Sequence, residues 1–106
     1  MNVFGTQRRR ARLIPPVSPP ATPGSFSGSS TSPGYADLTW TDVVGESEYE
    51  LEYGTAPSFF PLATLTAGTI SYTHSITGPV DVDYRIRANN AGGSSAWSST
   101  ITVSVL

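Results

Sequence analysis

The chain has 106 residues, 38% hydrophobic, 10% aromatic and 13% charged, with no cysteine and a formal net charge of −2. That length suits one domain; the lack of cysteine excludes disulfides, thiolate metal sites and a cysteine nucleophile, one histidine, His74, excludes a histidine metal cluster, and no apolar run approaches a membrane-spanning length. All six basic residues are arginine, and Arg8, Arg9, Arg10 and Arg12 fall within five positions, so residues 1–24 carry +4 while residues 25–106, with two arginines against eight carboxylates, carry −6.

Residues 1–14 form a basic peptide in which Val3, Phe4, Leu13 and Ile14 are apolar points on either side of the arginines. A secretory signal needs an apolar stretch of about 7–15 residues behind its basic start. Here Arg12 is followed by Leu13-Ile14 and then Pro15-Pro16, so no export and no membrane insertion are expected. Residues 15–24 contain five prolines. Such a stretch favours polyproline II and would span roughly 30 Å as a semi-rigid spacer.

From residue 25 onward the pattern is β. Weak strands are expected near 24–29 and 59–66. Tyr35–Thr41 puts Ala36, Leu38 and Trp40 on one face, and Glu48–Tyr53 sets Tyr49, Leu51 and Tyr53 inward against three outward carboxylates. Thr69–Ile76 groups Ile70, Tyr72 and Ile76. Val80–Ala88 alternates apolar and charged residues over nine positions, which is the period of a half-buried strand. Ile101, Val103 and Val105 alternate at the end. Turn residues separate the runs, among them Ser32-Pro33-Gly34, Gly45, Gly54, Gly68, Gly78-Pro79 and Asn89–Gly93. About seven short strands so spaced predict an all-β sandwich over residues 25–106, with an extended N-terminal tail.

The signature residues of this region resemble a fibronectin type III domain, an immunoglobulin-like fold. The matching features are the lead-in Pro19-Pro20-Ala21-Thr22-Pro23, Trp40 on the second strand, the tyrosine-rich Tyr49–Tyr53, and Tyr84-Arg85-Ile86-Arg87-Ala88-Asn89 followed by a Gly-Ser turn. The resemblance covers residues 19–106 and implies a seven-stranded sandwich. It also implies that Tyr84 is the corner tyrosine, and that the third and sixth strands are neighbours, with Arg85 and Arg87 facing Glu50 and Glu52. The link Thr77–Asp83 departs from the family by its length and by its Gly-Pro order. No Arg-Gly-Asp triplet is present.

The chemistry-bearing residues read as structural. Glu48, Glu50 and Glu52 form one solvent face, where opposite charges across a ladder contribute about 0.2–1 kcal/mol each. His74 reads as an ordinary strand histidine. No nucleophile elbow, phosphate loop or metal-ligand spacing occurs, and no nucleophile has a positioned base; neither an enzyme nor a cofactor is expected. Ser94-Ser95-Ala96-Trp97-Ser98 resembles half of the Trp-Ser repeat of cytokine receptor domains, in which an arginine ladder stacks on tryptophan. Trp97, Arg85 and Arg87 are therefore candidates for packing by cation–π contact or for surface recognition.

The arginine cluster has three readings: a solvated tail, contact with nucleic-acid phosphates, or docking on an acidic protein. Arginine without lysine suits bidentate contacts, and the flanking Val3, Phe4, Leu13 and Ile14 favour docking. Sandwich domains of the immunoglobulin and fibronectin type are common additions to phage structural proteins, and by that family association the resemblance implies a bacteriophage virion structural or decoration protein, made in the host cytoplasm. Residues 1–14 would hold it to a capsid or tail protein, and the sandwich would reinforce the particle or adhere to host glycans. The alternatives are a carbohydrate-binding or spacer accessory module, and a nucleic-acid adaptor.

Overall fold

The computed structural model describes residues 17–106, all strand and connecting chain. The strands are β1 (Gly24–Ser29), β2 (Tyr35–Thr41), β3 (Glu48–Thr55), β4 (Ser58–Thr66), β5 (Ser71–Ser75), β6 (Val80–Asn90), β7 (Gly93–Ser94) and β8 (Ile101–Val105). They form two antiparallel sheets: β1-β2-β5, and β4-β3-β6 with β7 and β8 both paired to β6. Residues 1–16, which include the basic peptide and its eight candidate contacts, lie outside the described residues.

The alternation read from the sequence is what buries the core. Ala36, Leu38 and Trp40 of β2 meet Tyr49 and Leu51 of β3, Val82, Tyr84, Ile86 and Ala88 of β6, and Val103 and Val105 of β8. All are at most 5% exposed. Edge-on contacts run from Phe26 to Trp40 and from Trp40 to Tyr49, at centroid distances of 6.3 and 5.6 Å. The Tyr49 hydroxyl donates to Asp42 and accepts the Val43 amide at 2.9 Å. Burial and the Asp42 carboxylate raise the Tyr49 pKa above its ordinary range.

Four expectations change. Among the described residues eight strands replace seven, because the final strand is split: residues 95–100 leave the regular ladder between β7 and β8. Ile70 is not a core residue but is 52% exposed, since β5 begins one residue later. The residue of that parity that is buried is His74, facing inward beside Tyr84. Its Nδ1 lies 2.7 Å from the Tyr84 hydroxyl. Tyr84, which the resemblance implies is the corner tyrosine, is thus tied to the His74 side chain. Burial lowers the His74 pKa and pushes that of Tyr84 up to about 12.

The proline-rich stretch, expected to project as a spacer, lies on the sandwich over residues 17–23. Pro20 and Pro23 are buried. The Asn90 amide donates to the Ser18 carbonyl at 2.8 Å, and the Thr22 hydroxyl to the Ala96 carbonyl at 3.2 Å. Gly92 permits this approach: a Cβ there would sit 2.1 Å from the Val17 carbonyl oxygen.

Candidate interaction surface

The outward face of β3 and β6 carries the sequence-predicted Arg85 and Arg87. The register places Glu50 opposite Arg87 and Glu52 opposite Arg85. Both pairs close, with Arg85 Nη2 at 2.6 Å from Glu52 Oε1 and Arg87 Nε at 2.5 Å from Glu50 Oε1. The row continues through the Asn89 amide, which donates to Glu48 at 2.9 Å. The Asn89 amide and the Arg87 guanidinium hold the Glu50 carboxyl below its ordinary pKa. The four side chains of the two ion pairs remain 21–31% exposed, so each pair contributes about 0.2–1 kcal/mol.

Trp97 closes this row from the final segment. Both guanidinium carbons lie near its ring centroid, Arg85 at 4.3 Å and Arg87 at 4.4 Å. Arg85 also lies 4.3 Å from the Phe59 centroid. Planar cations over aromatic rings are held by the ring quadrupole. Phe59, Arg85, Trp97 and Arg87 therefore form one interleaved ladder spanning β4, β6 and the segment before β8.

Two serines fix Trp97 there. The Ser95 and Ser98 amides donate to the Ala88 and Ile86 carbonyls, each at 2.8 Å. In return the Ala88 and Ile86 amides donate to the Ser95 and Ser98 hydroxyls, at 3.0 and 3.1 Å. Those hydroxyls donate onward to the Ala96 and Ser99 carbonyls. A hydroxyl thus stands where a regular ladder would place a carbonyl. The three-residue interval suits an extended backbone of three residues per turn, which returns to β6 at Ser95 and Ser98 and leaves Trp97 over the arginines.

Beside the ladder, Thr22, Pro23, Ser25, Phe26, Trp97, Ser98, Ser99 and Ile101 line an open groove of about 440 Å³. Phe59, the two serines and the groove residues Thr22 and Phe26 were not found from sequence; the Ser-x-x-Ser spacing was the available signal. Asp83 accepts the Thr102 hydroxyl at 2.6 Å and the Ala56 amide at 2.9 Å. These bonds lower its pKa. Among the described residues no group of three or more His, Asp or Glu side chains is placed to hold a metal.

No family model and no curated protein matches the chain. Its fold is that of fibronectin type III domains. A solved structure titled FN3tt superposes with a TM-score of 0.72 at 19% identity, covering 82% of this chain and 97% of that one. A Fn3-like protein from Clostridium thermocellum gives 0.70 at 23% identity, over 84% and 96%. Domains A168–A170 of titin give 0.65 at 24% identity, over 77% of this chain and 30% of that one. At such identities the likeness establishes the fold, and function has to be argued from sites.

Proposed function

We propose that this fibronectin type III sandwich is a non-enzymatic structural module of a bacteriophage virion. Its arginine-rich peptide, residues 1–14, fastens it to an acidic surface of a capsid or tail protein, and the sandwich is the displayed part. The observation that supports this is the partition of the arginines. Arg85 and Arg87, the two cations of the described residues, are each engaged by a glutamate and by Trp97. The other four precede the sandwich, next to Val3, Phe4, Leu13 and Ile14. Guanidinium groups suit bidentate contact with carboxylates. The sandwich itself, at −6, would repel polyanions, which ranks nucleic acid below an acidic protein as the partner.

The test is cosedimentation of the chain with phage particles purified from the producing host. The chain should pellet with the particles. Substituting Arg8, Arg9, Arg10 and Arg12 together by Ala should leave it in the supernatant with its melting temperature unchanged. Release that instead follows digestion of packaged nucleic acid, with a steep salt dependence, would favour the nucleic-acid reading.

One observation favours a second reading, a carbohydrate-binding accessory module. The groove beside Trp97 combines aromatic edges with the hydroxyl groups of Thr22, Ser25, Ser98 and Ser99. It ranks second because the two guanidiniums already stack on the Trp97 ring. Affinity electrophoresis through polysaccharide gels tests it.

A further inference from the structure

Each sheet of an open sandwich ends in two edge strands, and an edge strand presents unpaired amides and carbonyls to any passing strand. Among the described residues, three of the four edges carry a feature that blocks such pairing. Strand β4 holds Pro61, which has no amide to donate, at the point where the register against β3 shifts. Strand β1 is broken by a bulge between Gly24 and Ser27, with Ser25 at φ 53°. The last strand is divided by residues 95–100, and its far end is covered, the Leu106 amide donating to the Ser30 hydroxyl at 3.0 Å.

Strand β5 has no such feature. Ser71–Ser75 contains no proline, glycine, bulge or formal charge, and among the described residues it pairs only with β2. The direction of its free groups follows from the register. The Ile76 amide donates to the Gly34 carbonyl at 2.9 Å, and the Trp40 amide to the Ile70 carbonyl at 3.1 Å. In an antiparallel ladder, hydrogen-bonded pairs alternate with non-bonded ones. Ile70, Tyr72, His74 and Ile76 therefore bond to β2, while the amides and carbonyls of Ser71, Thr73 and Ser75 point off the sheet. Their side chains are exposed as well.

We infer that β5 is a self-association edge, which pairs antiparallel with β5 of a second copy of this chain about a two-fold axis through Thr73. This register sets Ser71 against Ser75, Thr73 against Thr73, and Tyr72 against His74. All the outward amides and carbonyls of β5 are then satisfied. It also sets Ile70, 52% exposed in the single chain, opposite Ile76 of the other copy. Small neutral side chains meet across the seam, so no like charges confront one another. The nearest acidic group on this sheet is Asp37, on β2 and already accepting the Thr73 hydroxyl at 2.8 Å. Its copy would stand three strand spacings away, about 14 Å, beyond the ~8 Å screening length at physiological salt. The product is a continuous six-stranded sheet, β1-β2-β5 joined to its symmetry mate. With only five residues pairing on each side, the dimer is weak and reversible.

Sedimentation equilibrium of the full chain, carried up to about 1 mM, should show reversible dimerisation. Ser71→Lys with Ser75→Lys sets lysine against lysine across the two-fold axis, and should hold the chain monomeric at every concentration. Ser71→Lys with Ser75→Glu sets opposite charges against each other, and should restore the dimer. Both pairs lie on exposed positions and should keep the wild-type melting temperature. Hydrogen exchange of the unmodified chain needs no variant: the Ser71, Thr73 and Ser75 amides should slow with concentration, while those of Tyr72 and His74 do not change. A wild-type chain monomeric at 1 mM, concentration-independent exchange at those three amides, or a dilysine variant that dimerises as well as wild type would each overturn the inference.

Discussion

Truncating Arg85 and Trp97 singly and together isolates the contact that decides what Trp97 does. Trp97→Ala removes the ring over which Arg85 and Arg87 sit at 4.3 and 4.4 Å. Each contact contributes about 0.5–1 kcal/mol at a partly exposed site, so the variant should lose about 1–2 kcal/mol. Arg85→Ala loses its contacts with Trp97 and Phe59 and its pair with Glu52. Its cost should be about 1.2–3 kcal/mol. The double variant should fall short of the sum by the one interaction the two residues share, about 0.5–1 kcal/mol. Urea unfolding followed by tryptophan fluorescence is suitable, because Trp40 remains as the core reporter in every variant. Strict additivity, or a Trp97→Ala variant as stable as wild type, would refute the view that the ladder is structural and would return Trp97 to the surface as a recognition residue.

Four further outcomes follow from the described geometry. Tyr84→Phe leaves the buried His74 Nδ1 without its 2.7 Å partner and should cost about 1–3 kcal/mol, read as a fall in melting temperature of about 4–8 °C per kcal/mol. Because burial depresses the folded pKa of His74 below its unfolded value, the unfolded chain takes up a proton first. Its contribution is intact above about pH 6.5 and is lost as pH falls through the folded pKa. Urea titrations across that interval should show this slope, and His74→Gln should flatten it. Ser95→Ala leaves the Ala88 amide without its hydroxyl acceptor and should cost about 1–3 kcal/mol; Ser98→Ala, at a more exposed position, should cost less in the same assay. Gly92→Ala drives a Cβ onto the Val17 carbonyl, so residues 17–23 should become protease-sensitive while the sandwich still melts cooperatively.

What the sequence revealed, and what it concealed, follows from how far each signal reaches along the chain. Strict alternation in Glu48–Tyr53 and Val80–Ala88 marked one face of each strand as apolar. With the family resemblance making the two strands neighbours, the pairing of Glu50 with Arg87 and Glu52 with Arg85 is legible in the sequence. The stacking of Trp97 on these arginines was offered by a different signal, the likeness of Ser94–Ser98 to half of a Trp-Ser repeat, which left packing and recognition both open. Ser95 and Ser98 were not legible, because a three-residue interval does not fit the two-residue period of a strand and so carries no sign of where the chain meets β6. Ile70 was placed inward by parity alone, and parity does not locate where a strand starts. The same parity should have buried His74, but a lone polar residue within an alternating run carries no sign of its partner, which lies ten residues on in Tyr84. The docking of Pro20 and Pro23 depends on Asn90, Gly92 and Ala96, some 70 positions away. No local pattern reports such a contact.

The central claim is that partner binding resides in the four arginines ahead of the sandwich and not in the two within it. The most direct measurement is cosedimentation with purified particles, comparing wild type, the variant with Arg8, Arg9, Arg10 and Arg12 replaced by Ala, and a second variant with Arg85 and Arg87 replaced by Ala. The account predicts that wild type and the Arg85/Arg87 variant pellet with the particles while the four-arginine variant stays in solution, still folded. A four-arginine variant that pellets like wild type, or a wild-type chain found only free of particles, would contradict it.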